Sequence, residues 1–319
     1  MNTPSLINYK EYQQFINNLY KNELDSGARF SMHTSLTPAI LSNEEAQGFI
    51  DRYNTIKEFW TISQNLFKKS LTDDSLKDIR DLVLNEVNSE FSLNYHKKLY
   101  EGEIQIPYFF RTDEAIPGKI TEIQAPGSLW GDVHALQTSL PYMKKFANFP
   151  IRSFNKLPIA EKVSSVIKEL TSKNPLIFHQ IDESSNMQDM NYFISVTRKY
   201  GLKYLGYDHE ASFKNVNFIR THSFMEEVTG STFFEFLEKY DNHKLIYDIF
   251  PSILFFEKIS LMFPFWDKTK HLYPDRIRSI FPFTSLISRD LILETGERMN
   301  IDKKPTPSRD GVLCGLQTV

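Results

Sequence analysis

One stretch constrains this chain more than any other: Tyr108 to Trp130, YFFRTDEAIPGKITEIQAPGSLW. Pro117-Gly118 stands in its middle, a pair that marks a turn because proline presets φ and glycine accepts a positive one. Before the pair, Phe109 and Phe110 run into Arg111-Thr112-Asp113. After it, Lys119-Ile120-Thr121-Glu122-Ile123-Gln124 alternates, with Ile120 and Ile123 apolar among polar neighbours. The alternation slips by one residue between the two isoleucines. Ala125-Pro126-Gly127-Ser128 then breaks the run. Two short strands joined by a turn are expected.

The chemistry lies in what such strands present. Residues two apart on a strand share a face, so Arg111 sits beside Asp113, and Glu122 beside Gln124. If the strands pair, one face carries an arginine, two carboxylates and an amide oxygen. Hard divalent cations want oxygen ligands of this kind, and Mg²⁺ combines one or two protein carboxylates with substrate phosphates. Arginine offers a fork to phosphate or carboxylate oxygens. On spacing alone the same residues more commonly form a solvated hairpin face with a cross-strand ion pair.

The 319 residues suffice for two or three structural units. Residues 1 to about 100 read as helical. Ser42-Asn43-Glu44-Glu45 is a capping box, and Phe49, Tyr53, Ile56, Trp60 and Leu66 follow near helical spacing, as a core-facing stripe does. A second helix is expected from about Asp74, with Leu76, Ile79, Leu82, Val83 and Val87. His33 falls in a polar loop. Past the hairpin, Trp130 begins a helix reaching about Phe146. Its Asp132 and His134 admit a metal pair, although aspartate at a helix start is ordinarily electrostatic or capping.

Residues 174 to 222 read as an α/β unit. Leu176 to His179 is a strand, Asn186 to Tyr200 a helix stopped by Gly201, Leu202 to Leu205 a strand, and Val216 to Arg220 another. Strand, helix, strand implies a parallel pair with a right-handed crossover. No glycine-rich dinucleotide fingerprint is present. Residues 231 to 266 read as helical and rich in aromatics.

Composition excludes several classes. A net charge of −3 gives no reason to expect nucleic-acid binding. The single cysteine, Cys314, rules out an internal disulfide and fits a reducing compartment. No signal-peptide pattern opens the chain, and no uncharged apolar run approaches a membrane span. A cytoplasmic protein with no membrane partner is expected.

The hairpin residues resemble the metal-binding hairpin of the circularly permuted ATP-grasp ligases, glutathionylspermidine synthetase and its relatives. The family shows Arg-x-Asp, a turn, Glu-x-Asn and a Pro/Ser loop. Here the pattern stands as Arg111-Thr112-Asp113, Glu122-Ile123-Gln124 and Pro126-Gly127-Ser128. Gln124 is one methylene longer than the family's asparagine, and the loop after it is shorter. Glu183 to Asp189 with the following helix, and Asn217 to His222, resemble the family's substrate-side domain. Asp248 to Lys258 and Ile280 to Thr284 resemble later family stretches. Asn300 to Val312 resembles the strand and loop that start the ATP-binding lobe. The likeness covers loosely residues 100 to 312.

What the resemblance implies is a mixed α+β and α/β fold of the ATP-grasp, glutathione-synthetase-like kind. Its segments would be a helical N-terminal region (1–100), a metal-site hairpin and helix (101–150), a small α/β substrate domain (151–225), a helical return segment (226–290) and the start of an ATP-binding lobe (291–319). Relatives continue beyond the equivalent of Val319, so an incomplete lobe is expected: truncated, lost in a degenerate relative that kept the scaffold, or completed by a protein partner or oligomer. The implied activity is Mg²⁺- and ATP-dependent joining of a small-molecule or peptide carboxylate to an amine. Arg111 would be catalytic. Asp113, Glu122 and Gln124 would hold Mg²⁺. Lys304, Ser308, Arg309 and Gly311 would engage ATP, and Ser128 and Arg220 the substrate. The alternatives are a non-catalytic scaffold that has lost its ATP lobe, and an unrelated α/β protein whose hairpin is coincidental.

Overall fold

Ser42 opens the longest helix with a reciprocal cap. Its backbone N–H donates to Glu45 Oε2 (2.6 Å), and its Oγ accepts from the Glu45 N–H (3.1 Å), the capping box read from Ser-Asn-Glu-Glu. The computed structural model describes residues 9–23, 42–84, 90–116, 118–124, 130–143, 158–172, 175–179, 187–205, 216–220, 246–248, 252–255, 258–286, 290–292, 298–300 and 312–314. In chain order the helices are α1 (Tyr9–Glu23), α2 (Asn43–Ser70), α3 (Lys77–Val83), α4 (Glu90–Leu99), α5 (Trp130–Met143), α6 (Ile159–Leu170), α7 (Met187–Lys199) and α8 (Asp275–Ile280). The strands are β1 (Arg111–Ile116), β2 (Lys119–Gln124), β3 (Leu176–His179), β4 (Lys203–Leu205), β5 (Phe218–Arg220), β6 (Ile246–Tyr247), β7 (Thr284–Leu286), β8 (Asp290–Ile292), β9 (Arg298–Asn300) and β10 (Val312–Cys314). The chain forms two compact units. One comprises Met1–Ala46, Gly127–His222 and Tyr240–Ile246, the other Gln47–Pro126, Ser223–Lys239 and Tyr247–Val319.

The second unit is built on α2. Ile56, Phe59, Trp60, Ser63, Gln64 and Phe67 recur at helical spacing and are all buried, so one continuous stripe faces the core. Trp60 meets Phe110 edge-on at 4.9 Å and Phe255 at 5.2 Å. Phe59 packs on Phe281 at 4.8 Å, and Phe67 on Tyr100 at 5.5 Å. The polar members of the stripe are satisfied. Ser63 hydrogen-bonds Tyr273 (2.9 Å), and the Gln64 amide donates to the Gln105 carbonyl (3.1 Å). On α4, His96 is buried with Nδ1 on the Ser92 carbonyl (2.8 Å), while Nε2 lies 3.2 Å from the Ile253 N–H. A carbonyl can only accept, so Nδ1 carries the proton and Nε2 accepts. Both contacts suit the neutral ring, and burial pushes the imidazole down to about 4 from the ordinary 6.5, against the opposing pull of the Ser92 bond.

The first unit is the expected α/β arrangement. β3 pairs in parallel with β4 and with β5, and the sheet order is β4-β3-β5-β6. The connection from β3 to β4 carries α7, whose Met190, Phe193, Ile194 and Thr197 are buried as the spacing predicts. Gly201 stops that helix at φ 82°, a left-handed conformation that favours glycine. The next N–H, of Leu202, reaches back to the Thr197 carbonyl. Asn217 sets the β3–β5 register, since its Oδ1 accepts from the Leu176 N–H (2.9 Å). Gly131 lets α5 approach α7 closely. A Cβ there would lie 2.2 Å from the Asp189 carbonyl oxygen, and the adjacent Asp132 N–H donates to Asp189 Oδ1 (2.6 Å).

Two expectations are corrected. Phe49 and Tyr53 are 43% and 42% exposed, because the apolar periodicity of α2 runs one turn past the core. Their rings are half covered instead, Phe49 by the Arg52 guanidinium and Tyr53 by stacking on Phe110. The helix expected through Trp266 is replaced, in its described part, by strand β6 (Ile246–Tyr247) and 3₁₀ turns at Ile253–Phe255 and Lys258–Met262. Pro264 has no N–H to donate and its ring opposes a continuing α-helix. Residues 231–245, Val87, His33 and the part of the α5 helix expected beyond Met143 lie outside the described residues. Among the described residues no helix is long and apolar enough to cross a membrane.

Two stability measurements follow from this packing. His96 must charge in the unfolded chain before it can in the folded one. Its contribution is therefore complete above pH 6.5 and is lost as the pH falls from there to about 4, at about 1.4 kcal/mol per pH unit. Urea melts should show that loss in the wild type and a smaller one in His96→Gln; equal losses would place the titration elsewhere. Gly131→Ala should cost about 1–3 kcal/mol by overpacking, with normal stability in that variant refuting the close α5–α7 approach.

Candidate functional site

The two strands flanking Pro117-Gly118 pair antiparallel, with Arg111 opposite Gln124, Thr112 opposite Ile123 and Asp113 opposite Glu122. Gly118 takes φ 77° at the turn. Beyond Asp113 the register shifts, and Glu114 pairs with Ile120. Thr121 is the extra residue of a bulge, and its Oγ1 donates to the Asp113 carbonyl (3.0 Å). The bulge accounts for the slipped alternation. One unpaired residue returns Ile120 and Ile123 to a common face, and Ile120 is fully buried.

The hairpin is fastened at both ends. Arg52 of α2 contacts Glu114 at 2.6 Å. The Lys119 ammonium donates to the carbonyls of Ser279 (3.0 Å) and Phe281 (3.3 Å), at the C-terminal end of α8 where the helix dipole favours a cation. Phe110, just before β1, is held by Trp60. The site face is thus carried by paired backbone on a packed helix.

On that face Asp113 and Glu122 are direct cross-strand neighbours, and like charges in that position repel. Each carboxylate has a cation beside it. Arg111 grips Asp113 with both prongs, Nε to Oδ1 at 2.8 Å and Nη2 to Oδ2 at 2.9 Å. Lys258 Nζ lies 3.5 Å from Glu122 Oε2. The side chains are about a third exposed, 29% and 41% for the first pair and 39% and 29% for the second. Water and ligands therefore reach all four groups. The arrangement combines two oxygen-ligand carboxylates with two cations able to exchange partners for an incoming oxyanion.

Arg111, Asp113 and Glu122 are brought together, and Gln124 completes the face by its register position. Arg220 ends β5 in the other unit. Ser128, Lys304, Ser308, Arg309 and Gly311 lie outside the described residues, as does His222. Asp132 and His134 are buried in α5, and the Asp132 backbone is engaged by Asp189. Among the described residues no group of three or more His, Cys, Asp or Glu side chains is placed to hold a metal ion. Two carboxylates with phosphate oxygens completing the shell are what Mg²⁺ ordinarily takes, so the donor set fits that ion in company with a phosphate ligand.

Compared with protein-family models and with curated proteins, the chain matches none. Its chemistry is legible only in its own residues. The sequence pattern marked Lys258 through resemblance alone, and gave no sign that it meets Glu122. Arg52, Glu114 and Lys119 carried no signal, because their partners are remote in sequence.

The Arg111–Asp113 pair has good bidentate geometry but is exposed, so its coupling should be about 0.5–1 kcal/mol. A double-mutant cycle with Arg111→Met and Asp113→Asn should measure that value, diminishing in 1 M NaCl. Coupling well above it and insensitive to salt would mean the face is shielded from water.

Proposed function

We propose that the chain is an ATP-grasp-type carboxylate–amine ligase, related to the circularly permuted members of that class. The observation that supports this reading is the direct cross-strand pairing of Asp113 with Glu122, with Arg111 opposite Gln124 on the same face. That is the order of the family's hairpin with Gln124 in place of its asparagine, presented on paired strands.

In the proposed reaction a substrate carboxylate oxygen attacks the γ-phosphorus of ATP and ADP departs. The amine then attacks the acyl carbon of the acyl phosphate, inorganic phosphate leaves and the nitrogen gives up a proton. Asp113, Glu122 and Gln124 would hold Mg²⁺, which supplies charge neutralisation on the phosphate oxygens. Arg111 releases Asp113 and directs its fork at the transferred phosphoryl group. Lys258, freed from Glu122 in the same exchange, adds a second positive charge to that face. Ser128 and Arg220 position substrate, and Lys304 with Ser308, Arg309 and Gly311 engages the ATP phosphates. Cytoplasmic conditions suit the reduced Cys314 and the ATP requirement.

A second reading is a non-catalytic scaffold of the same ancestry that binds a small molecule or a partner. What favours it is that both carboxylates already have a cation beside them, the resting state of a solvated ion-pair face.

Thermal melts with ATP, with and without Mg²⁺, separate the readings. Under the ligase reading Mg²⁺-ATP at about 100 times its Kd stabilises the fold by about 2.7 kcal/mol, and Asp113→Asn removes the shift. ADP release on addition of an amine and a carboxylate then identifies substrates. A well-folded sample with no Mg²⁺-dependent shift sinks the ligase reading and leaves the scaffold.

A further inference from the structure

Lys258 comes to the charged hairpin face from a separate segment of the second unit, and that segment has its own anchors. Ile253–Phe255 is a single 3₁₀ turn, closed by the Phe255 N–H on the Ser252 carbonyl (3.1 Å). Ser252, Ile253, Leu254 and Phe255 are all buried. Lys258 opens the next turn, in which Ser260, Leu261 and Met262 are buried. The Lys258 side chain is 39% exposed and lies against Glu122.

A short helical turn leaves its first N–H groups without partners inside the turn, and burial makes an unmet donor costly. Helix α4 meets this need. The Ile253 N–H donates to His96 Nε2 (3.2 Å). The Tyr100 hydroxyl, just past α4, hydrogen-bonds Ser252 Oγ (2.8 Å), and the same Oγ accepts from the Leu254 N–H (3.4 Å). His96 is itself fixed, by Nδ1 on the Ser92 carbonyl and by edge-on contacts with Phe67 and Tyr95. Burial keeps the ring neutral, pushed down to about 4, so Nε2 retains the lone pair that the Ile253 N–H requires.

The two kinds of anchor do different things. Phe255 meets Trp60 edge-on at 5.2 Å, which holds the turn against the core. Apolar burial is non-directional, whereas a hydrogen bond restricts distance and angle together. The bond to His96 therefore sets how the turn is rotated, and the Lys258 backbone follows three residues after Phe255.

We propose that His96, assisted by Tyr100, is the positioning residue of Lys258: it orients the Ile253–Phe255 turn so that the ammonium beyond it meets Glu122. The two cations of the face then have different supports. Arg111 is part of the hairpin, and Lys258 is delivered to it under the control of α4. The Lys258–Glu122 contact exists without ligand, so this assignment does not rest on the ligase reading.

The test uses the whole chain, with its lysines dimethylated by isotope-labelled formaldehyde, which keeps their charge and gives each a methyl NMR signal. Lys258→Arg and Lys119→Arg assign two of these signals. Lys119 rests on the Ser279 and Phe281 carbonyls and reports whether the hairpin is intact. Glu122→Gln should shift the Lys258 signal. His96→Leu should shift it as far, with no further movement when Glu122→Gln is added, while the Lys119 signal stays in place. His96→Gln keeps a donor for the Ser92 carbonyl and an acceptor for the Ile253 N–H, and should restore the wild-type position. If His96→Leu does not fold, Tyr100→Phe carries the test: a shifted Lys258 signal supports the proposal and an unmoved one overturns it. An unmoved Lys258 signal in folded His96→Leu would overturn it. So would equal shifts in His96→Leu and His96→Gln, which would make His96 a space-filler, or a Lys119 signal displaced together with that of Lys258, which would mean general loosening. A Lys258 signal indifferent to Glu122→Gln would remove the contact on which the proposal stands. No nucleotide enters the experiment, so each of these results is separate from the fate of the ligase reading.

Discussion

The packing of Trp60 between Phe110 and Phe255 is the contact on which the second unit depends. An edge-on aromatic pair contributes about 0.5–1.5 kcal/mol beyond its buried area, and Trp60 makes two of them while itself fully buried. Phe110 is covalently followed by Arg111, the first residue of the hairpin. The position of the charged face is therefore set by an apolar contact one residue away. Arg52–Glu114 and Lys119 on the end of α8 fix the far end. Exposed ion pairs contribute little energy singly, and their part here is orientation.

That division of labour suits the partner exchange that the proposed function asks of Arg111 and Lys258. Buried ion pairs resist separation, because a stranded charge costs several kcal/mol. Arg111, Asp113, Lys258 and Glu122 are partly in water, so each can leave its partner at small cost. The strand register places the two carboxylates directly opposite each other. A strongly held frame with weakly held side chains is what the proposed binding of a charged ligand there would require.

Parts of this organisation were legible in the sequence for local reasons. Ser42-Asn43-Glu44-Glu45 announced the start of α2 because its cap closes within four residues. The limits of β2 followed from its alternation and the Pro-Gly pair. The stripe of α7 and its stop at Gly201 were visible because helix periodicity and a positive φ are properties of neighbours along the chain. The slipped alternation at Ile120–Ile123 was visible too, and the bulge at Thr121 gives it its cause. What misled was extrapolation: the stripe of α2 continued to Phe49 after the core had ended, and the aromatic run before Trp266 resembled a helix that Pro264 interrupts.

The sequence by itself determined the hairpin, the β-α-β unit and the identity of the residues on the charged face. These depend on period, turn chemistry and caps, all short-range. Only the tertiary structure decided that Asp113 stands directly across from Glu122, that Lys258 comes to Glu122, and that β5 joins β3 on the side away from β4 so that His179 and Arg220 end side by side. Each of those is a choice among registers or strand orders of similar local energy. Long-range packing and hydrogen bonds such as Leu176 to Asn217 settle such choices, and no window of neighbouring residues contains them.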